Sequence, residues 1–244
     1  MLKKKLFYIA DFSLPNKSAY TLHVLKMCDA FFEFSNKNVE LLIPFKDQKY
    51  KSTKLKKDFL LKSTFKIKSF FLKKKKLNFY RRIIFSIKLY EFLKKKSINT
   101  VIISRSIVPS IILAFLNIKN ILEIHTELTG FTKMFFWLVR FNKIHKNLKF
   151  IFINKYLRKK LKIKTNRSLI LNDAVDYRDF KTKKISSIQN TCFYSGSFAK
   201  GKCLEIINKI SLELPNINFH LYGNENTAYD KSLINNKNSN VFFK

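Results

Sequence analysis

The chain has 244 residues, 46% of them hydrophobic, which is enough for a sizeable core in one or two domains. Its formal net charge of +33 attracts polyanions, anionic membranes or phosphorylated ligands, although the abundance of Lys, Asn, Ile and Phe is the bias of an AT-rich coding sequence. The three cysteines show no metal-ligand spacing, and their odd number without a secretory signal argues against a disulfide scaffold and indicates a reduced cytoplasmic chain. No apolar run approaches the ~18 residues that a membrane-spanning helix needs.

The chain opens with the order strand, helix, strand. Leu6 to Ala10 is a continuous apolar run, the pattern of a central parallel strand, and Val39 to Ile43 is a second strand. Between them Ser18 is a candidate N-cap for a helix with one apolar face, in which we interpret His23 as a half-buried structural histidine, with a catalytic role as the alternative. This βαβ opening predicts a Rossmann-like domain, whose ligands lie at the carboxyl ends of its strands.

Residues 46–77 are dense in lysine, with phenylalanine and leucine interleaved. One interpretation is an irregular or helical excursion with a solvated basic face, and another is a basic amphipathic surface that lies on anionic lipid. No zinc-finger spacing or RNA-binding aromatic motif accompanies the charge, so we expect no nucleic-acid partner.

Two further buried strands are each followed by a polar residue. Thr100 to Ser104 runs into Arg105, and Asn120 to Ile124 runs into His125. A histidine at the end of a buried strand is well placed for a ligand in the crevice of the sheet, and the alternative is a histidine bonded to a backbone carbonyl.

The rest of the chain divides into the end of one domain and the start of another. We predict a first domain over residues 1–180, a linker over the polar residues 181–190, and a second domain over residues 191–244. The remaining elements expected in the first domain are a helix from Phe79 to Lys96, a helix from near Pro109, an aromatic helix from Phe131 to His145, a strand from Leu148 to Ile153, a basic helix after Asn154 and a strand from Ser168 to Leu171.

The stretch from Cys192 to Tyr222 has the order strand, turn, helix, strand. Gly196 and Ser197 form the turn, and the helix shows Leu204, Ile207 and Ile210 on one face before Pro215 stops it. A helix N-terminus after such a turn attracts anions, and Lys200 and Lys202 add positive charge there. The alternative is an ordinary loop that needs glycine for its turn.

Four segments, in the order in which they follow one another along the chain, resemble the family-4 glycosyltransferases of the GT-B fold. The last is an aromatic-rich strand, Gly196, Ser197 and then Lys202, with Cys203 where the family has a second glycine. The first runs from Pro15 to Phe31, with Lys17, Ser18 and Ala19 in place of the family's Gly-Gly loop. The second is Glu-Ile-His-Thr, which begins at Glu123. The third runs from Asn172 to Phe180, with Ala174 in place of glycine.

The resemblance implies an α/β GT-B fold: an N-terminal Rossmann-like domain on the acceptor side, and the incomplete start of a second Rossmann-like domain that binds a nucleotide sugar. It also implies retaining transfer of a sugar from that donor to a hydroxyl of a surface polysaccharide or glycolipid, without a metal or a cofactor. Such a protein is expected in the cytoplasm, peripherally on the inner face of the cell membrane.

The resemblance also assigns site residues. It implies a catalytic role for His125, donor diphosphate binding by Gly196, Ser197 and Lys202, and a loop near acceptor and phosphate with Ser18, Ala19 and Arg105. We expect no metal site, because the sequence shows no His/Cys/Asp cluster with zinc spacing.

The resemblance spans residues 5–244 but only about the first two-thirds of the family's architecture. The family's later elements carry an acidic pair that binds the donor, and this pair is not in the sequence. Turnover by the 244 residues alone is therefore in question. A non-catalytic, truncated or degenerate relative of the family and a basic protein that binds membrane or nucleic acid remain as alternatives.

Overall fold

The computed structural model describes residues 4–35, 37–96, 99–140, 142–175, 189–198, 201–223, 228–235 and 237–244. The chain forms two compact units, Met1–Ala174 and Val175–Lys244, each with its own apolar core. The division lies a few residues before the predicted end of the first domain. Of the predicted linker 181–190, only Gln189 and Asn190 fall within the described residues.

Unit 1 is built on a seven-stranded parallel sheet. In chain order the strands of the unit are β1 (Lys5–Ile9), β2 (Ser13–Leu14), β3 (Val39–Ile43), β4 (Phe45–Lys46), β5 (Lys66–Ser69), β6 (Thr100–Ser104), β7 (Asn120–Ile124), β8 (Leu148–Phe152) and β9 (Ser168–Ile170). The sheet has the order β5-β3-β1-β6-β7-β8-β9, while β2 and β4 form a small separate pair. The strand order reverses between β1 and β6, which is where ligands of such sheets bind.

Helices bury both faces of this sheet. The helices of unit 1 are α1 (Ala19–Phe34), α2 (Ser52–Phe59), α3 (Phe79–Leu93), α4 (Ile107–Phe115), α5 (Gly130–Phe136), α6 (Asn142–Asn147) and α7 (Lys155–Lys160). Along β1, Leu6 and Tyr8 join the core that α1 covers, whereas Phe7 and Ile9 join the core that α3 covers. Because neither face of the central strand meets water, the strand is a continuous apolar run.

Most predicted elements of unit 1 are confirmed, including the strands at 39–43, 100–104 and 120–124. The single helix predicted from Phe131 to His145 is wrong, because a 3₁₀ turn at Trp137–Arg140 separates α5 from α6. The lysine-dense stretch contains α2 and the edge strand β5, in which Ile67 alone is apolar. Lysines on both sides of Ile67 suit an edge strand, since they oppose pairing with another chain.

Unit 2 is a three-stranded parallel sheet with two helices. Its elements are β10 (Thr191–Ser195), α8 (Leu204–Glu213), β11 (Asn218–Tyr222), α9 (Ala228–Asn235) and β12 (Val241–Phe243), with the strand order β10-β11-β12. Ile210, which was predicted to face the core, is 40% exposed, and Ser211 is buried instead. The reason is polar: the side-chain amides of Asn238 and Asn240 bind carbonyl groups of α8 and turn the Ser211 side of the helix inward.

Within the part of the chain that the structure describes, every helix is too short or too polar to span a bilayer.

Candidate functional site

A cavity of about 480 Å³ opens at the carboxyl ends of the central strands of unit 1. Asp11 follows β1, Arg105 follows β6, His125 follows β7, and the first turn of α1 closes one side with Ala19. This is the edge of the sheet where the strand order reverses, and it is where the sequence predicted a ligand site.

Glu123 and His125 form a buried, hydrogen-bonded pair in the cavity. The two residues are next-but-one neighbours at the end of β7, so their side chains share one face of the strand. Nε2 of His125 donates to Oε1 of Glu123 across 2.5 Å, and the hydroxyl of Tyr8 on β1 donates to Oε2 of Glu123. Glu123 is 6% exposed, so these two donors take the place of water on each of its oxygens.

These hydrogen bonds keep Glu123 ionised. Burial raises the pKa of Glu123, but the hydrogen bonds from His125 and Tyr8 outweigh burial, so the net pKa lies below the usual value. Burial, followed by the charge of Glu123, raises the pKa of Tyr8 well above the ordinary tyrosine value. Tyr8 therefore stays a phenol and a hydrogen-bond donor beneath an anionic carboxylate.

Asp173 links His125 to a second histidine, His23. Oδ1 of Asp173 lies 3.2 Å from Nδ1 of His125 and 3.3 Å from Nε2 of His23. The two imidazole rings meet edge to face with their centroids 4.6 Å apart. His23 comes from α1 and Asp173 from the segment after β9, so residues from opposite ends of unit 1 meet at His125.

His23 is half-buried, as the sequence predicted, but it faces the cavity rather than a structural core. Burial lowers the pKa of His23, and the nearby charges of Arg105 and His125 lower it further. Its Nδ1 is buried and has no hydrogen-bond partner among the described residues. At neutral pH, His23 is therefore an uncharged ring with an unused nitrogen.

Arg105 supplies the positive charge of the cavity. Its guanidinium lies over the ring of Tyr20, 4.8 Å from the centroid. Its Nη1 is buried and pairs with no acceptor in the part of the chain that the structure describes. The neighbouring carboxylate of Asp11 is already engaged, because it accepts from the hydroxyl of Tyr20 at 2.8 Å and from Nε of Arg82 at 3.0 Å. Arg105 thus brings positive charge to the cavity wall, together with an N–H donor that has no partner among the described residues, and this arrangement suits an anionic ligand.

Ser18 and Ala19 lie where α1 begins. The N-cap prediction for Ser18 is confirmed: its Oγ accepts from the backbone N–H of Thr21 at 3.3 Å. Ala19 lines the cavity, and its small side chain leaves space beside the first turn of the helix. The positive end of α1 therefore points toward the same region as Arg105.

The predicted diphosphate residues Gly196, Ser197 and Lys202 belong to unit 2, in the loop between β10 and α8. Gly196 continues the strand pairing by donating its N–H to the carbonyl of Tyr222 at 3.0 Å, and the carbonyl of Ser197 accepts from the hydroxyl of Tyr194 at 2.9 Å. The side chains of Ser197 and Lys202 are exposed, and Lys200 lies outside the described residues.

Among the described residues of this loop, left-handed backbone occurs at Gly201, with φ +85°, and at Cys203, with φ +62°. Cys203 stands where the family that the sequence resembles has a second glycine, and it adopts the conformation that favours glycine. Cys203 holds that conformation at the N-cap of α8.

The sequence predicted no metal site, but the fold brings together three side chains that could hold a metal ion. His23, Glu123 and His125 each offer one ligand atom, and these atoms lie within 4.8 Å of one another. The sequence spacing did not indicate this group, because His23 on α1 is far along the chain from Glu123 and His125 at the end of β7.

Sequence reasoning missed Tyr8 and Asp173 as members of the site, and it favoured a structural role for His23. A signal for Asp173 was present, since Asn172 and Asp173 directly follow the strand β9, and polar residues at the carboxyl ends of parallel strands converge on one edge. His23 and Tyr8 carried no comparable local signal.

Comparison with known proteins supports the fold and nothing narrower. No family model matches the chain, and no curated protein matches it in sequence. Among solved structures, TarM matches with a TM-score of 0.72 at 11% identity, over 99% of this chain and 76% of that one. The glycotransferase of kitacinnamycin matches with a TM-score of 0.56 at 6% identity, over 99% of this chain and 71% of that one. UDP-GlcNAc 2-epimerase from Neisseria meningitidis, solved with UDP-GlcNAc bound, gives 0.56 at 11% identity over 98% and 71%.

These matches show an α/β fold that resembles the Rossmann-like domains of GT-B proteins, so the predicted fold class is confirmed. The chain spans between 65% and 76% of the lengths of the matched chains. Identity this low leaves the reaction to be argued from the site itself.

Proposed function

We propose that this chain forms part of a retaining glycosyltransferase with the GT-B fold, of the family-4 type. It would transfer a sugar from a nucleotide-sugar donor to a hydroxyl of a surface polysaccharide or glycolipid, without needing a metal. The observation that carries the proposal is Nη1 of Arg105, which has no partner among the described residues, in a side chain that lines the same cavity as His125, at the strand edge where GT-B proteins bind their substrates. The Arg105 end of the cavity suits an anion, and His125 suits a polar group beside it.

The chemistry requires positive charge where the donor breaks. A departing nucleoside diphosphate gains negative charge, and an enzyme without a metal must stabilise it with fixed donors. In unit 1 these would be Arg105 and the N-terminal turn of α1 near Ala19. In unit 2 we assign the same task to the loop of Gly196 and Ser197 and to the ammonium group of Lys202. The exposure of Ser197 and Lys202 supports this assignment, because both are accessible to a ligand.

His125 would hold the reacting sugar or position the acceptor hydroxyl. Its side chain is 8% exposed, and Glu123 fixes the direction of its ring through Nε2. Tyr8 in turn holds Glu123, so the imidazole is oriented before any substrate arrives. This pre-organisation supports a catalytic role over a merely structural one, since a structural histidine would not need to face a cavity.

The acceptor side has a basic surface. A second cavity of about 630 Å³ shares Asp11 and Tyr20 with the first, and its walls include Lys74, Lys75 and Lys76. Such a surface supports contact with an anionic glycolipid or with the headgroups of a cytoplasmic membrane face. We therefore retain the peripheral membrane location as part of the proposal.

A donor screen tests the proposal. The protein, without a polyhistidine tag, would be incubated with a panel of nucleotide sugars, and both the dissociation constant of each donor and the release of nucleoside diphosphate would be measured. We expect one donor class to bind, and we expect Arg105→Ala and Lys202→Ala each to lower turnover by about 10²–10³-fold, the usual effect of removing one charge-stabilising donor. Lys231→Ala is the matched control, because Lys231 is an exposed lysine on α9.

The products separate the alternatives. A new glycoside or a slow release of free sugar supports transfer chemistry, whereas an altered sugar still attached to its nucleotide identifies an epimerase. Binding without turnover identifies a non-catalytic relative. Absence of binding to every nucleotide sugar, together with DNA binding that weakens steeply with salt, contradicts the proposal and identifies a basic nucleic-acid-binding protein.

A further inference from the structure

One carboxylate oxygen of Asp173 lies close to two imidazole nitrogens in the cavity of unit 1. Oδ1 of Asp173 lies 3.2 Å from Nδ1 of His125 and 3.3 Å from Nε2 of His23. Around a tetrahedral zinc ion with bonds of about 2.0–2.1 Å, neighbouring ligand atoms are about 3.3 Å apart. The two separations from Asp173 therefore match ligand–ligand distances of a zinc site, and the ligand atoms of His23, Glu123 and His125 also lie within 4.8 Å of one another.

The groups behind His125 are those of a metal-bound histidine. Histidines that bind metals usually donate their second ring N–H to a carboxylate, which fixes the tautomer and the direction of the ring. Nε2 of His125 donates to Glu123 in this way at 2.5 Å, so a metal would be bound by the lone pair of Nδ1, which lies 3.2 Å from Oδ1 of Asp173. The hydroxyl of Tyr8 holds the same carboxylate from the other side.

The charges near this point favour a cation. Glu123 and Asp173 are both carboxylates, and Arg105 is the opposing positive group in the cavity. Asp11 adds little, because Arg82 already pairs with it at 3.0 Å. Two carboxylates against one guanidinium leave a negative balance where the histidines converge.

The ligand types select the metal. Two imidazoles and a carboxylate suit zinc and similar transition metals, whereas magnesium and calcium prefer oxygen ligands alone. Three protein ligands leave the fourth tetrahedral position open toward the cavity. The 58% exposure of the Asp173 side chain gives an ion access from solvent.

We propose that His23, His125 and Asp173 form a zinc-binding site with Glu123 as its outer-shell carboxylate, and that a zinc ion bound there blocks the cavity. The blocking effect rests on the proposed function, because zinc would occupy the nitrogen of His125 that the substrate needs. Zinc binding itself does not depend on any reaction. Transfer would thus need no metal and would be inhibited by this one.

Calorimetric titration with zinc chloride tests the site directly, on the protein without a polyhistidine tag. We expect one site per chain, and we expect His23→Ala and Asp173→Asn each to weaken zinc binding by tenfold or more. Glu123→Gln is expected to weaken it by about 10–100-fold, which is the usual effect of losing an outer-shell partner. His220→Ala is the matched control and leaves the affinity unchanged, since the ring of His220 stacks on Phe193 and Phe242.

Cobalt(II) gives a readout of the ligands that folding defects do not imitate. The visible spectrum is expected to show a tetrahedral site with nitrogen and oxygen ligands, and to lack the thiolate absorption that the exposed Cys192 or Cys203 would produce. Zinc affinity that is the same in His23→Ala and in the parent chain overturns the proposal, as does a cobalt spectrum dominated by thiolate. Far-ultraviolet circular dichroism checks that each variant is folded.

The two proposals fail separately. A chain that binds zinc through these residues but neither binds nor cleaves any nucleotide sugar contradicts the proposed function and leaves the metal site standing. A chain that releases nucleoside diphosphate at an unchanged rate in excess zinc overturns the inhibitory site alone.

Discussion

His125 directs Nε2 at Oε1 of Glu123 from 2.5 Å away, and the two residues are next-but-one neighbours on one chain segment. A strand places such residues on the same face, so this contact is local in origin. Its environment is not local: the second oxygen of Glu123 accepts from Tyr8 on β1. The pair of Glu123 and His125 is thus held in the centre of the sheet by Tyr8, and a change at Tyr8 tests how much this contact contributes to stability.

Removal of the Tyr8 hydroxyl is expected to destabilise unit 1. Tyr8→Phe leaves the buried carboxylate of Glu123 with one donor fewer, and a hydrogen bond to a charged group contributes about 1.5–3 kcal/mol. Urea unfolding followed by fluorescence measures the loss, because Trp137 is the single tryptophan of the chain and lies in unit 1. The control is Tyr80→Phe, since Tyr80 is 69% exposed. Equal unfolding midpoints for the two variants would show that the Tyr8 contact contributes nothing.

His23 is expected to make unit 1 less stable in mild acid. Its pKa is lowered in the folded chain, whereas a histidine in an unfolded chain has a pKa of about 6.5. Below that pH the unfolded chain takes up a proton that the folded chain does not, so the free energy of unfolding falls as pH falls toward the folded pKa. His23→Gln is expected to flatten this part of the profile. Leu22→Gln, an exposed change on the same helix, keeps the original slope, and identical slopes in both variants would refute the assignment.

Gly223 is expected to tolerate no side chain. A Cβ at this position would lie 2.0 Å from the carbonyl oxygen of Gly196, which is backbone and cannot turn away. Gly223→Ala must therefore part β10 from β11, and we expect a loss of about 3 kcal/mol, at the upper end of the usual range for overpacking. Gly201→Ala is the control, because it has open space and only its φ of +85° opposes a side chain. Hydrogen exchange at the amides of β10 and β11 measures both, and equal protection would contradict the contact.

Cys203→Gly is expected to stabilise the start of α8. A non-glycine residue at φ +62° is strained by roughly 1–2 kcal/mol, which glycine would relieve. Glycine also makes the unfolded chain more flexible, and this entropy offsets roughly 0.5–1 kcal/mol of the gain. The net gain is then about 0.5–1 kcal/mol, seen as slower hydrogen exchange in α8. Cys203→Ala removes the thiol but keeps the Cβ, so it should exchange like the parent chain. A gain of the same size in Cys203→Ala would assign the effect to the thiol instead.

Much of the fold could be predicted because its signals are local. The strands at 39–43, 100–104 and 120–124 are apolar runs, since the sheet buries both of their faces. The edge strand β5 could not be recognised in this way, because its lysines meet water and its one apolar residue is Ile67. The break between α5 and α6 was missed for a similar reason: the aromatic residues there continue a helical pattern through the 3₁₀ turn.

The sequence by itself determined the strands of the parallel sheet, the N-cap at Ser18 and the location of Arg105 and His125 at strand ends. Only the tertiary structure decided that His23 and Asp173 meet His125, and that Tyr8 binds Glu123 from a neighbouring strand. The physical reason is that periodicity records which side of a strand or helix is buried, and it contains no information about which distant side chains that burial brings within 3.3 Å. Those distances follow from the order of the strands and from the packing of α1 against the sheet.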